Sequence, residues 1–156
     1  MLSRDHLTPD AMAANTRPRA VLIVDLCGFT RTVRAEGLAG FLARVVSLRE
    51  EGAYIVAKHG GDLVKCDADN VYALFATVDE ALKAARMFHL APFPLSAGID
   101  VGPVLRVPGD LWGDAVNTAS KLGEDLAGAG ETILSSRAAG QCALRLAPPK
   151  ERIWDF

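Results

Sequence analysis

A chain of 156 residues, half of them apolar and 23% charged, is long enough for one domain with a full core and hardly long enough for two. Its formal net charge of −2 excludes the cationic footprint of a nucleic-acid or membrane-surface binder, and no apolar run reaches the length of a membrane span. Three cysteines, Cys27, Cys66 and Cys142, lack metal-ligand spacing and point to reduced thiols in a cytoplasmic protein.

Residues 1–18 lack the apolar centre of a signal peptide and read as a flexible tail or linker remnant before a domain spanning 19–156. The unbroken run Val21 to Val24 predicts a buried strand over about 20–26 that ends on a carboxylate, Asp25. GFTRT then reads as a turn. From about 37 to 58, Leu38, Phe41, Leu42, Val45, Val46 and Leu48 recur at helical spacing, and Gly60 and Gly61 supply the stop. DLVKC and VYALFA read as two strands of a hairpin around the turn composition DADN. VDEALKAARMFHL is a helix with Asp79 and Glu80 in its first turn, where the helix dipole favours acids, and APFP ends it. LSAGIDVG is a strand, RVPGDLWG an irregular loop, DAVNTASKLGEDLA a helix with Asp114 as N-cap, and ETILSS a strand. The stretch RAAGQCALRLAPPKERIWDF carries no decisive pattern.

The order β-α-β-β-α-β, then loop, helix and strand, predicts an α+β fold with a ferredoxin-like βαββαβ core and C-terminal additions. A right-handed crossover makes the first two strands parallel, and the third fits between them, antiparallel to the first. The end of the first strand then lies beside the start of the third, so that Asp25 meets the hairpin acids Asp67 and Asp69. A buried carboxylate is costly unless it is paired, hydrogen-bonded or bound to a metal. Converging acids of this kind suit one or two divalent cations with oxygen ligands. Taken alone, Asp25 can equally cap the GFT turn through local backbone bonds.

Three segments carry a closer likeness. VLIVDLCGFT, KHGGDLVKCDADNVYALF and GDLWGDAVNTASKL resemble the metal-binding, hairpin and Asp-φ-Trp-Gly-Asp-x-Val-Asn segments of the class III nucleotidyl cyclases. The resemblance covers roughly residues 19 to 136. It implies a two-metal reaction, with Mg²⁺ or Mn²⁺ at two positions per site, in which a ribose 3′ hydroxyl attacks the α-phosphate and pyrophosphate leaves. On that alignment Asp25 and Asp69 are the metal carboxylates, and the Leu26 carbonyl is a further ligand. Lys65 and Asp110 take the base-recognition positions. A Lys and an Asp there suit adenine: Lys donates to a ring nitrogen and Asp accepts from the exocyclic amine that guanine lacks at that position. The implied substrate is ATP and the implied product cyclic AMP. Asn117 takes the ribose-orienting position, and Lys121 the position of an Arg that stabilises the transition state. The resemblance further implies a head-to-tail homodimer with sites shared between subunits; the charge and the apolar runs imply neither nucleic-acid binding nor membrane insertion.

The sequence departs from that pattern in several places. Lys121 offers a flexible point charge where the family has a rigid guanidinium fork. Ala68 stands where a Gly usually precedes the second Asp, and is strained if the turn needs a positive φ. The segment between GIDVG and DLWGD is short for a dimer-embracing arm, and the tail after Ser136 offers only Lys150 as a phosphate-binding Lys. GGDL at 60–63 matches the diguanylate cyclase signature only in part, because Leu63 and Val64 stand where that motif needs an acid and a Phe. The residues also have plainer readings: Lys65 as a solvent-facing strand lysine, Asp110 as a turn residue, and Lys121 as a surface partner of Glu124 or Asp125. A catalytically weak or inactive nucleotide-binding module, or a cyclase for another base, are the alternatives in function.

Overall fold

In the computed structural model, which describes residues 1–155, the chain opens with a 3-10 turn, Arg4–Leu7, and continues through α1 (Pro9–Asn15), β1 (Thr16–Leu26) and α2 (Phe29–Lys58). The hairpin β2 (Asp62–Asp67) and β3 (Asn70–Phe75) follows, then α3 (Val78–Phe88), β4 (Leu95–Val107) and β5 (Asp110–Trp112). The last elements are α4 (Asp114–Ser120), a π-helical turn (Lys121–Leu126), β6 (Thr132–Ser135), α5 (Ser136–Gly140) and β7 (Glu151–Trp154). All strands join one seven-stranded sheet in the order β2-β3-β1-β4-β6-β7, with β5 paired to β4. The first four are mutually antiparallel neighbours, which is the expected βαββαβ core; β6 and β7 extend it in parallel from β4.

Alternation along β1 divides the core. Ala20, Leu22, Val24 and Leu26 face α2 and α3 and pack with Phe41, Phe75, Leu82 and Phe88. Val21 and Ile23 face the opposite side, where Ala115, Val116 and Ala119 of α4 cover them together with Leu74, Val104 and Leu111. Leu22 has no exposed surface, so truncating it to Ala would cost about 2–5 kcal/mol. The second core is smaller, and Val64 and Tyr72 at its margin are only partly buried. Asp25 follows Val21 and Ile23 in the alternation and belongs to this second face.

Several expectations need correction. GFTRT is not a turn. Gly28, at φ 78°, caps α2, and the first helical bond runs from Thr32 N–H to Gly28 O at 2.9 Å. The expected start near residue 37 is a kink, because Gly37 at φ 78° and ψ 174° interrupts the helix. RVPGDLWG is a hairpin: Arg106 and Val107 complete β4, Pro108-Gly109 turns with Gly109 at φ 75°, and β5 returns. A Pro-Gly pair between short apolar segments is a turn signature. Gly113, not Asp114, caps α4; the Asp114 carboxylate instead accepts a bond from Arg137 at 2.8 Å. Within the stretch expected as a loose tail, Arg4–Leu7 and Pro9–Asn15 are helical: Thr8 caps α1 by accepting from Ala11 N–H, and the Met1 ammonium donates to Pro108 O at 2.8 Å.

Candidate active site

The acids at the end of β1 do converge. Asp25 lies opposite Asn70 on β3 and Ser96 on β4, and the Leu26 N–H donates to the Asp69 carbonyl at 3.1 Å. The turn carrying Asp69 is held from the helix side as well, by Arg49 donating to the Ala68 carbonyl at 2.6 Å. Ala68 sits at φ 50°, the one non-glycine residue with positive φ among the described residues, so the turn does require the left-handed conformation. That costs about 1 kcal/mol or more. The half-buried Asp25 carboxyl is pushed up to about 7, first by burial, then by the charges of Asp69 and Glu124, against a backbone bond with Leu26. Asp67 shares this face but lies two strands from Asp25, with its carboxylate 3.7 Å from Lys65 Nζ.

The donors here are carboxylate and backbone oxygens, the hard ligands that Mg²⁺ and Mn²⁺ take. Among the described residues no group of three or more His, Cys, Asp or Glu side chains is arranged to hold a metal ion. Mg²⁺ sites of nucleotide enzymes need fewer, because one or two carboxylates are completed by water and substrate phosphates. Asp25 and Asp69, whose repulsion only a cation or a proton relieves, fit that requirement, with buried Leu26 beside them.

On the same open face lies a second cluster. Lys65 Nζ is 3.2 Å from Asp110 Oδ1 and 4.8 Å from the centre of the Tyr72 ring. A bulge between Leu63 and Lys65 shifts the β2 register so that Lys65 lies opposite Tyr72. Asp110 arrives by the β4–β5 hairpin, and its Oδ1 also accepts from Leu111 N–H at 2.9 Å. Burial alone would lower the Lys65 ammonium pKa, but the bond to Asp110 and the charges of Asp110 and Asp67 outweigh it and hold the group above its ordinary value.

Asn117 and Lys121 lie four residues apart on exposed positions of α4 and the turn after it, while Val116 and Leu122 are buried. Close backbone packing fixes this helix. A Cβ on Gly98 would meet Ala119 O at 2.2 Å and Gly123 N at 2.5 Å, and Ser96 Oγ donates to Gly123 O at 2.6 Å. Its N-terminus is tied by a buried ion pair that the sequence reading missed. Asp100, with no exposed surface, accepts from Ser135 Oγ and from Arg137 Nε and Nη2; Arg137 Nη2 also donates to Asp114. An acid inside the strand GIDVG was the signal available. Lys150 is placed elsewhere: it donates to Ala129 O at 3.2 Å, three strands from β1 on the β7 side, and does not meet Asp25.

Comparisons with known proteins bear on the family and the fold. No family model matches the chain. An adenylate cyclase of Streptomyces coelicolor is 37% identical in an alignment 115 residues long that covers 68% of this chain; the chain spans 29% of the length of that relative. The structure of an adenylate/guanylate cyclase/hydrolase from Silicibacter pomeroyi superposes with a TM-score of 0.70 at 26% identity, covering 80% of this chain and 79% of that one. The catalytic core of a rhodopsin-guanylyl cyclase with converted specificity, in complex with ATPαS, superposes with a TM-score of 0.73 at 21% identity, over 85% and 86% of the two chains. The α+β sheet is thus that of a cyclase catalytic domain. The chain belongs to the class III nucleotidyl cyclases, the adenylate and guanylate cyclase family.

Proposed function

We propose that this domain converts ATP to 3′,5′-cyclic AMP and pyrophosphate, at sites formed between two copies of the chain arranged head to tail. The single observation that carries the reading is the Lys65–Asp110 contact at 3.2 Å, which assembles a donor and an acceptor matched to adenine from two distant strands. Lys65 donates to an acceptor nitrogen of the ring, and Asp110 accepts from the exocyclic amine. A base without that amine leaves Asp110 unpaired, and this penalty, more than added attraction, is what discriminates. Asn117 holds the ribose so that its 3′ oxygen lies in line with the α-phosphorus. Lys121 places a positive charge by the phosphates as the 3′ O–P bond forms and the bond to the pyrophosphate oxygen breaks. Asp25 and Asp69, with the Leu26 carbonyl, would hold Mg²⁺ or Mn²⁺, two ions per site, whose chemistry is to lower the charge cost of in-line displacement.

The metal cluster and the base cluster occupy different parts of one face that α4 leaves partly open, so a second copy supplies each with its complement. A cytoplasmic location, where ATP is at hand, belongs to the same reading. Lys121 in place of an Arg predicts a slow enzyme. The test is product analysis: the purified chain is incubated with each of the four triphosphates and Mg²⁺ or Mn²⁺, beside Asp25→Ala. Cyclic AMP that disappears in the variant supports both halves of the site. No cyclic product from a folded sample at any concentration would reassign the domain to nucleotide binding without catalysis.

A further inference from the structure

Glu124 has no role in the scheme above, yet it touches both clusters. Its Oε1 accepts from Asn70 Nδ2 at 2.8 Å and lies 3.5 Å from the Tyr72 hydroxyl. Asn70 follows Asp69 directly and faces Asp25 across the β1–β3 ladder. Tyr72 is the residue whose ring underlies the Lys65 ammonium.

We propose that Glu124 is a positioning residue for the metal-binding end: it holds Asn70, and through Asn70 the turn that presents Asp69 to Asp25. This role depends on the reading that Asp25 and Asp69 take a divalent cation.

The turn needs holding. It is short, it sits at a hairpin tip, and Ala68 is strained at φ 50°. Two ties already restrain its backbone, Leu26 N–H on the Asp69 carbonyl and Arg49 on the Ala68 carbonyl. Both act on the residues before Asn70. Glu124 supplies the third tie, on the far side of Asp69, and a hydrogen bond to a carboxylate is stronger than one between neutral groups. Asn70 Oδ1 is buried without a partner, so the amide is oriented from its Nδ2 side.

The delivery of Glu124 is itself specific. The helix after Ser120 widens into a π turn, closed by Ala127 N–H on Leu122 O at 2.8 Å. Such turns persist where the surroundings pin them and recur at functional positions. Here Gly123 is pressed against β4, where a Cβ would meet Gly98 N at 2.9 Å and Ile23 O at 3.0 Å. With Gly123 fixed on the sheet, the next side chain reaches β3. The same turn begins at Lys121, so the residue that steadies the metal end is three positions from the one expected at the phosphates.

The experiment follows Mn²⁺ binding to the full chain by the electron paramagnetic resonance signal of the free ion, which needs no turnover. Partners that orient metal ligands from outside the coordination sphere typically contribute 10- to 100-fold in affinity, so Glu124→Ala should weaken Mn²⁺ binding by about tenfold. Glu124→Gln keeps an acceptor oxygen and should stay within about threefold of the parent. Asn70→Ala should reproduce Glu124→Ala, and the double variant should be no worse than either single one, since both remove the same tie. Parent-like Mn²⁺ binding by a folded Glu124→Ala, or effects of the two alanine variants that simply add, overturns the proposal. If Glu124→Ala fails to fold, parent-like binding by Asn70→Ala overturns it equally. Asp25→Asn separates the levels. Loss of binding there with Glu124→Ala unaffected sinks the role of Glu124 alone, whereas parent-like binding in Asp25→Asn removes the metal site and this role with it.

Discussion

Truncating Arg137 to Ala should destabilise the domain more than any other single surface-accessible substitution described here. The guanidinium is half exposed, but the acid it serves is not: Asp100 has no solvent contact, whereas Asp114 is 81% exposed at its side chain. Removal leaves Asp100 with the Ser135 hydroxyl as its remaining side-chain donor. Breaking a buried pair from one side costs about 3–5 kcal/mol. The adjoining cavity of about 430 Å³, lined by Asp114, Thr118, Ser136 and Asp155, admits water once the side chain is gone, which favours the lower end. For a chain of this size each kcal/mol shifts the melting temperature by about 2–4 °C, so Arg137→Ala should lower it by about 6–12 °C. Asp114→Ala removes only the exposed arm and should cost about 0.5 kcal/mol, less than about 2 °C. Asp100→Asn added to Arg137→Ala should recover part of the loss, because the unpaired charge disappears. Thermal denaturation followed by circular dichroism at low and high salt reads all three, and high salt should leave the Arg137→Ala deficit nearly unchanged. A drop below about 2 °C for Arg137→Ala would refute the idea that this pair anchors α4.

Ala68→Gly should relieve the left-handed strain and, after the extra freedom glycine gives the unfolded chain, stabilise by about 0.5–1 kcal/mol in urea denaturation; destabilisation would contradict the strained turn. The Asp25 pKa, about 7 in the folded chain, lies above its ordinary value, so this group's contribution to metal-free stability is present at low pH and is lost as pH rises toward 7. Asp25→Asn should therefore raise the melting temperature of the metal-free protein by about 2–4 °C near pH 8, after allowing for solvent at this half-buried site, and by almost nothing near pH 4. A lower melting temperature near pH 8 with chelator present would contradict it. Lys121→Arg should raise turnover of ATP by about tenfold with little change in KM, since it adds a fork at the phosphates rather than a contact to the base; an unchanged rate would place Lys121 outside the reaction.

The legible parts of this fold were those written in apolar periodicity and in turn residues. Val21 to Val24 marked the central strand, and DADN marked the hairpin that brings Asp69 to Asp25. What escaped was written in few residues or in contacts between distant ones. Phe29 to Glu36 has weak apolar periodicity, so its helix was hidden until Gly28 was seen to cap it. The β4–β5 hairpin rests on two turn residues and a three-residue strand, yet it is what carries Asp110 to Lys65. Asp100 and Arg137 signalled only as a charge in a strand and a charge in a patternless tail. The sequence offers Glu124 only as a partner for Lys121, because an uninterrupted α-helix gives no hint that a widened turn will send it to Asn70.

The contact between Lys65 and Asp110 has an implication for how tightly the domain holds what it selects. Each group already satisfies the other, so on the proposed reading an arriving adenine would exchange one set of polar contacts for another instead of adding a new set. The net gain in ground-state affinity would then be small, while a mismatched base would still pay the full penalty of separating the pair. Under that proposal selectivity and residence time would be uncoupled: the site would be exacting about the base and yet release its product readily.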